Sequence, residues 1–164
     1  MKAIVAVSDD WGIGNKNELL FHIPEDMKRF KELTIHNVII MGRKTFESLP
    51  NQKPLKDRTN IVITSSGKNF GNGIITSTFE GLQDILDMYQ SKKCFVIGGE
   101  SVYSQLLDRC DTIYVTKIFK SVEYDKKFVN LDRVGGWKCV EHSPVKTYNN
   151  IRYQFCIYKK EESK

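Results

Sequence analysis

The chain has 164 residues, 40% of them hydrophobic and 27% charged, a balance that specifies a folded domain with one sizeable core and excludes a disordered segment. No apolar run approaches the roughly 20 residues a bilayer-spanning helix needs, and the apolar start is too short for a signal peptide, so a soluble cytoplasmic protein is expected. The net charge of +5 comes from dispersed Lys and Arg residues without an aromatic-basic run, which argues against a nucleic-acid-binding module and suits a small polyanionic ligand.

In chain order, β-rich apolar runs alternate with amphipathic helical ones. Strands are expected at residues 3–8, 37–41, 59–64, 93–97 and 112–118, with two more at 137–141 and 151–158. Helices are expected at 24–33, 43–49, 78–89 and 101–107. The third of these has the clearest stripe, Phe79, Leu82, Ile85, Leu86 and Tyr89, with Thr78 as N-cap. The early strands read as continuous apolar runs, as when helices cover both sheet faces. The last two lack an intervening helix, and Asn149-Asn150 is the natural turn there. The expected architecture is a single α/β domain over 1–164: a mostly parallel twisted central sheet, an antiparallel C-terminal edge strand and helices on both faces.

Cys94, Cys110, Cys139 and Cys156 are scattered without a Cys-x-x-Cys pair, and His22, His36 and His142 lack metal-ligand spacing. Buried free thiols and no metal are expected.

Ligands of open α/β sheets gather at the carboxyl ends of strands. Four such junctions stand out. The first strand enters a loop of about fifteen residues, a length typical of functional loops, whose Gly12-Ile13-Gly14 lacks the third glycine of a dinucleotide fingerprint. Met41-Gly42-Arg43-Lys44-Thr45 brings two cations and a hydroxyl to a helix start, as an anion site or as a tight turn with solvated charges. Thr64-Ser65-Ser66-Gly67-Lys68 is hydroxyl-rich, which ordinary loop composition also explains. Ile97-Gly98-Gly99-Glu100-Ser101 pairs glycines where a side chain would block a ligand pressed against the main chain.

Asp26 falls beside Phe30 and Leu33, with Met27 flanking, while Lys28, Arg29, Lys31 and Glu32 take the other side of the helix. A carboxylate in an apolar stripe must be neutralised, paired or hydrogen-bonded, which marks a candidate site. The alternative is a first-turn acid serving the free N–H groups after Pro24.

Taken with Ala6, Ile23-Pro24-Glu25-Asp26 and the closing Tyr153-x-Phe155, these motifs resemble, in order and spacing, the bacterial monodomain form of the dihydrofolate reductase family over nearly the whole chain. The resemblance implies a monomeric, NADPH-dependent oxidoreductase that reduces dihydrofolate to tetrahydrofolate for one-carbon metabolism and is a target of antifolate inhibitors. It implies that Asp26 binds the pterin and favours N5 protonation, with Thr116 bonded to the acid and Phe21 beside the ring. Ile4, Val5 and Ile97 would border the pterin, and Met27, Phe30, Leu49 and Leu55 would line the aminobenzoyl channel. Arg58 would clamp the glutamate α-carboxylate.

On the cofactor side, Arg43 and Ser65 would meet the 2′-phosphate, and Lys44, Thr45, Gly98, Gly99, Ser101 and Val102 the diphosphate. Ala6, Ile13 and Gly14 would lie near the nicotinamide. Leu19, Gly42, Thr64, Ile97, Glu100 and Tyr103 would complete the cofactor contacts. Residues 9–23 correspond to a mobile lid braced by Asp125. Four departures from the family pattern stand out. Leu20-Phe21 replaces Pro-Trp, removing an indole N–H. His22 lies in the lid, Ser101 replaces an arginine, and Lys56-Asp57 replaces Pro-Gly before Arg58. A pyrimidine- or riboflavin-pathway reductase of the same fold would need neither Asp26 nor Arg58.

Overall fold

Runs of Val and Ile too short for helices become the strands of a central sheet, and the amphipathic segments between them cover its faces. The computed structural model describes residues 1–162; the last two residues of the domain expected over 1–164 lie outside the described residues. In order the elements are β1 (Lys2–Val7), β2 (Gly12–Asn15), β3 (Glu18–Leu19), α1 (Pro24–Thr34), β4 (Val38–Gly42) and α2 (Arg43–Glu47). Then come β5 (Thr59–Ile63), β6 (Ile74–Ser77), α3 (Leu82–Leu86), β7 (Cys94–Gly98) and α4 (Glu100–Leu106). The C-terminal part supplies β8 (Thr112–Ile118), β9 (Lys126–Lys127), β10 (Trp137–His142), β11 (Lys146–Tyr148) and β12 (Ile151–Lys160).

Nine strands form the main sheet in the order β10-β12-β8-β1-β7-β4-β5-β6, with β11 also on β12. From β8 to β6 all neighbours are parallel, and β12 pairs antiparallel with β8, β10 and β11. Alternation along the strands sorts the core into two layers. On one face Val5, Val38, Ile40, Ile61, Val96 and Val115 pack under Leu82 of α3 and Val102, Tyr103 and Leu106 of α4. On the other, Ile39, Met41, Val62 and Phe95 pack with Phe46 of α2 and Leu33 of α1.

The expected helix over 78–89 is much shorter: only Leu82–Leu86 is α-helical, followed by one 3-10 turn at Asp87–Tyr89. Thr78 does not cap the helix. Its hydroxyl accepts from the Gly81 N–H at 3.1 Å and closes a turn ahead of it. The apolar stripe is real, with Leu82 fully buried and Phe79, Ile85, Leu86 and Tyr89 against the core, so the periodicity recorded burial rather than helix length. β6, β2, β3, β9 and β11 have no counterpart among the strands expected from sequence. All have four residues or fewer; in the lid β2 and β3 form a tight hairpin, and β9 joins β2 from more than 100 residues along the chain.

Asn149-Asn150 does turn the chain, with φ of 48° and 65°, but it joins β11 to β12 rather than β10 to β12. Cys94, Cys110, Cys139 and Cys156 are free as expected, but only Cys110 and Cys156 are buried; Cys94 is half-buried and Cys139 exposed, contrary to the expected burial. No group of His, Cys, Asp or Glu among the described residues could hold a metal. No described helix is long and apolar enough to cross a membrane.

Candidate active site

The carboxyl ends of β1, β4, β5 and β7 open onto one cavity of about 830 Å³. Val5 and Ala6 of β1 and Ile97 and Gly98 of β7 form its inner end. Gly42, Arg43, Lys44 and Thr45 line it where β4 turns into α2, and Thr64 and Ser65 where β5 ends. Gly99, Glu100, Ser101, Val102 and Tyr103 come from the start of α4, and Ile13, Gly14 and Leu19 from the lid. Every residue expected on the cofactor side therefore lines this one cavity.

The walls explain the glycines. A Cβ at Gly42 would come within 3.1 Å of Val102 Cγ2, and Gly98 has φ +134°, a conformation that favours glycine. Arg43 and Glu47 form an (i, i+4) ion pair at 2.8 Å, which leaves most of the guanidinium donors free for an anion. Ser101 accepts a hydrogen bond from Gln105 Nε2 at 2.9 Å. The Tyr103 hydroxyl donates to the Ile4 carbonyl oxygen at 2.6 Å, so this buried side chain also fixes the middle of β1. Burial pushes its phenol well above the usual range.

Asn17, Ser48, Glu80 and Lys126 line the cavity without having been singled out, and so do Thr78 and Phe79, which were expected only as a helix cap and part of an apolar stripe. Thr78-Phe79-Glu80 follows β6. Had that short strand been recognised, the loop at its carboxyl end would have counted as a fifth junction.

The lid is a three-stranded sheet, β3-β2-β9, at the mouth of the cavity. Asp125 braces it at both levels: its Oδ2 accepts from the Lys16 N–H at 3.0 Å and its N–H donates to the Gly14 carbonyl at 3.0 Å. Glu100 adds a second tie, its Oε2 accepting from the Lys127 N–H of β9 at 2.9 Å. A Cβ at Gly12 would sit 2.6 to 2.9 Å from the near atoms of the Tyr124 side chain. Gly12→Ala must displace one lid strand. Because an ångström of misplacement at a reacting centre can cost about a hundredfold, turnover should fall roughly ten- to hundredfold. Steady-state kinetics check this, and parent-like turnover would show that the lid absorbs the methyl group.

Asp26 lies in the first turn of α1, half-buried, and its Oδ1 accepts from the buried Thr116 hydroxyl of β8 at 2.5 Å. Burial raises the carboxyl above its ordinary value, while the Thr116 bond and the Arg29 charge pull it down. Thr116 is the register partner of Ala6, which lines the cavity, so acid and cavity share one strand pair. The first-turn role holds as well, since no side chain caps α1 and Glu25 and Asp26 supply its negative charge. Arg29 departs from expectation. It sits on the sheet side, half-buried, its guanidinium 4.5 Å from the Phe155 ring centre and 5.6 Å from that of Tyr114.

Ile4, Leu49 and Leu55 are half-buried and pack with Ile97 and Leu33 on the same face, near α1. Phe30 is half-buried on α1 and Met27 is 60% exposed. Phe21 joins Ala6 and Phe155 around Ile23, Ile118 and Tyr153. Arg58 Nη1 donates to Thr34 Oγ1 at 3.3 Å, at the far end of the helix whose first turn holds Asp26. Eight residues at a rise of about 1.5 Å separate the two ends by about 12 Å. The buried Asn60, which the sequence reading missed, pins the intervening loop. It accepts from the Leu55 N–H at 2.9 Å and donates to the carbonyls of Leu55 at 2.9 Å and Arg58 at 3.0 Å. Asp57 takes φ 61°, a left-handed conformation that glycine adopts freely and aspartate tolerates.

A family model described as dihydrofolate reductase matches residues 1–160. The dihydrofolate reductase of Bacillus subtilis is 39% identical over 154 residues, covering 92% of this chain and 89% of that protein. The type 9 dihydrofolate reductase of Escherichia coli is 34% identical, covering 96% and 92%. Dihydrofolate reductase from Enterococcus faecalis, solved in complex with NADP(H) and RAB-propyl, superposes with a TM-score of 0.84 at 32% identity, covering 98% of this chain and 96% of that one. With the cavity, the bonded acid and the braced lid in one frame, this chain belongs to the dihydrofolate reductase family.

Proposed function

We propose that this protein reduces 7,8-dihydrofolate to 5,6,7,8-tetrahydrofolate with NADPH. The observation that carries the reading is the Asp26 carboxylate, bonded to Thr116 at 2.5 Å and one strand pair from the glycine-walled cavity. NADPH, when bound, supplies the hydride that C6 of the dihydropterin ring receives. The cavity fits such a group: it is long enough to reach four strand ends, its walls at Gly42 and Gly98 leave room against the main chain, and Arg43 and Lys44 offer cations.

Asp26 holds the 2-amino group and N3 of the pterin and so favours a proton on N5. Thr116 fixes the orientation of the carboxylate. Ile4, Val5, Ile97 and Phe21 provide an apolar wall for the ring, and Met27, Phe30, Leu49 and Leu55 one for the aminobenzoyl group. Arg58 clamps the α-carboxylate with its fork of donors. The lid excludes water, which strengthens each of these electrostatic contacts. The resemblance also implies a monomer, which size-exclusion chromatography with light scattering tests. Antifolate inhibitors would bind at Asp26. A spectrophotometric assay of NADPH oxidation with dihydrofolate tests the activity, and no turnover would sink it.

Arg43 faces the cofactor with one carboxylate partner, Glu47, already drawing on its charge. A hydrogen bond to a charged group contributes about 1.5–3 kcal/mol. Arg43→Leu should therefore raise the KM for NADPH by roughly ten- to a hundredfold and leave that for NADH nearly unchanged. Equal increases for both cofactors would remove Arg43 from the 2′-phosphate site.

A further inference from the structure

Arg29 is a half-buried cation outside the roles assigned above. It follows Asp26 by three residues on α1, so the two share one helix face. That face lies on the Tyr114 and Thr116 side of β8, and Phe155 of β12 is the register partner of Thr116. The Asp26 carboxylate bonds to Thr116, and the Arg29 guanidinium lies over Phe155 and Tyr114, so acid and cation are anchored to the same patch of sheet. No carboxylate among the described residues comes within ion-pair distance of Arg29, so its charge is not cancelled by a direct partner.

We propose that Arg29 is a positioning residue whose charge, working against the effect of burial, holds down the pH range over which Asp26 keeps its proton. The two aromatic rings keep the guanidinium near the carboxylate without letting it take up a carboxylate oxygen, so Oδ1 keeps its bond from Thr116 and Oδ2 is left for the ligand. Asp26 and Arg29 each favour the charged form of the other. The other titratable groups close enough for their charges to act on the pair are Tyr114 of β8 and Tyr153 of β12, Glu141 of β10, and, from the opposite layer of the sheet, Cys156 of β12 and Tyr103 of α4. Burial pushes Cys156 up to about 11 and Tyr153 up to about 12, so both are neutral at physiological pH. Glu25, next to Asp26, is engaged by Lys146 at 2.7 Å and Tyr153 at 2.5 Å.

The test is an NMR titration of the Asp26 side-chain carbon in the protein without substrate, assigned with Asp26→Asn, in the parent, Arg29→Gln and Arg29→Lys. The expected result is a midpoint at higher pH in Arg29→Gln and one near the parent value in Arg29→Lys, which restores the charge but not the stacked fork. An unmoved or lower midpoint in Arg29→Gln, or equal midpoints in the two variants, would overturn the proposal; the second outcome would leave Arg29 a packing role. Should Arg29→Gln fail to fold, Arg29→Met takes its place in the same comparison. The consequence for turnover rests on the function proposed above: the pH at which activity falls should rise with the Asp26 midpoint. Because the titration needs no turnover, loss of the dihydrofolate reading leaves it interpretable.

Discussion

Asp26→Asn is expected to lower turnover at neutral pH by about a hundredfold or more, the usual loss when a group that promotes proton transfer is removed. Part of the activity should return as pH falls and solution protonates the substrate without help. The fold should survive, because an amide oxygen can still accept the Thr116 hydroxyl bond. NADPH binding should also survive, since Asp26 does not line the large cavity. Equal activity of variant and parent at neutral pH would remove Asp26 from the mechanism.

The same substitution has a signed effect on stability. Burial raises the Asp26 carboxyl above its ordinary range, so the folded protein keeps this proton to higher pH than the unfolded chain does. The parent therefore loses stability from this group as pH rises through the interval between the ordinary and the raised value. Asparagine has no such transition. Asp26→Asn should melt higher than the parent above that interval, with the difference vanishing at low pH. A melting series across pH checks the sign, and a variant that is relatively less stable at high pH would contradict it.

Arg58→Leu is expected to raise the KM for dihydrofolate by roughly ten- to a hundredfold, in line with the loss of charged hydrogen bonds of about 1.5–3 kcal/mol, and to change kcat little. About 12 Å of helix separates the Arg58 anchor from Asp26, so the clamp contributes equally to ground and transition states. Stability should be nearly unchanged, because Thr34 Oγ1 loses one donor but still donates to the Phe30 carbonyl at 2.8 Å. A large fall in kcat with unchanged KM would show that Arg58 acts on the reacting ring instead.

Much of this molecule is legible in local sequence. The alternation of Val and Ile runs with amphipathic segments reflects a sheet covered on both faces, a constraint each segment meets within a few residues. The glycines at strand ends carry their own reason, since a side chain at Gly42 or Gly98 would meet Val102 or require an unfavourable φ. Asp26 announced itself by standing in an apolar stripe. Local pattern misled where burial and helix length separate, as in residues 78–89, and where strands are too short to show a period, as in the lid and β6.

Only tertiary structure decided which groups meet. Thr116 reaches Asp26 across 90 residues, Glu100 reaches the Lys127 N–H across 27, and Asn60 folds back to hold the loop bearing Arg58. Arg29 shows the difference most plainly. Helical spacing gave it to the solvent with its charged neighbours, yet the rings of Tyr114 and Phe155, from strands far along the chain, draw its guanidinium onto the sheet beside Asp26. Periodicity reports how a segment partitions between water and core. It does not report whether a long charged side chain finds aromatic faces within reach, because those faces exist only once β8 and β12 have paired.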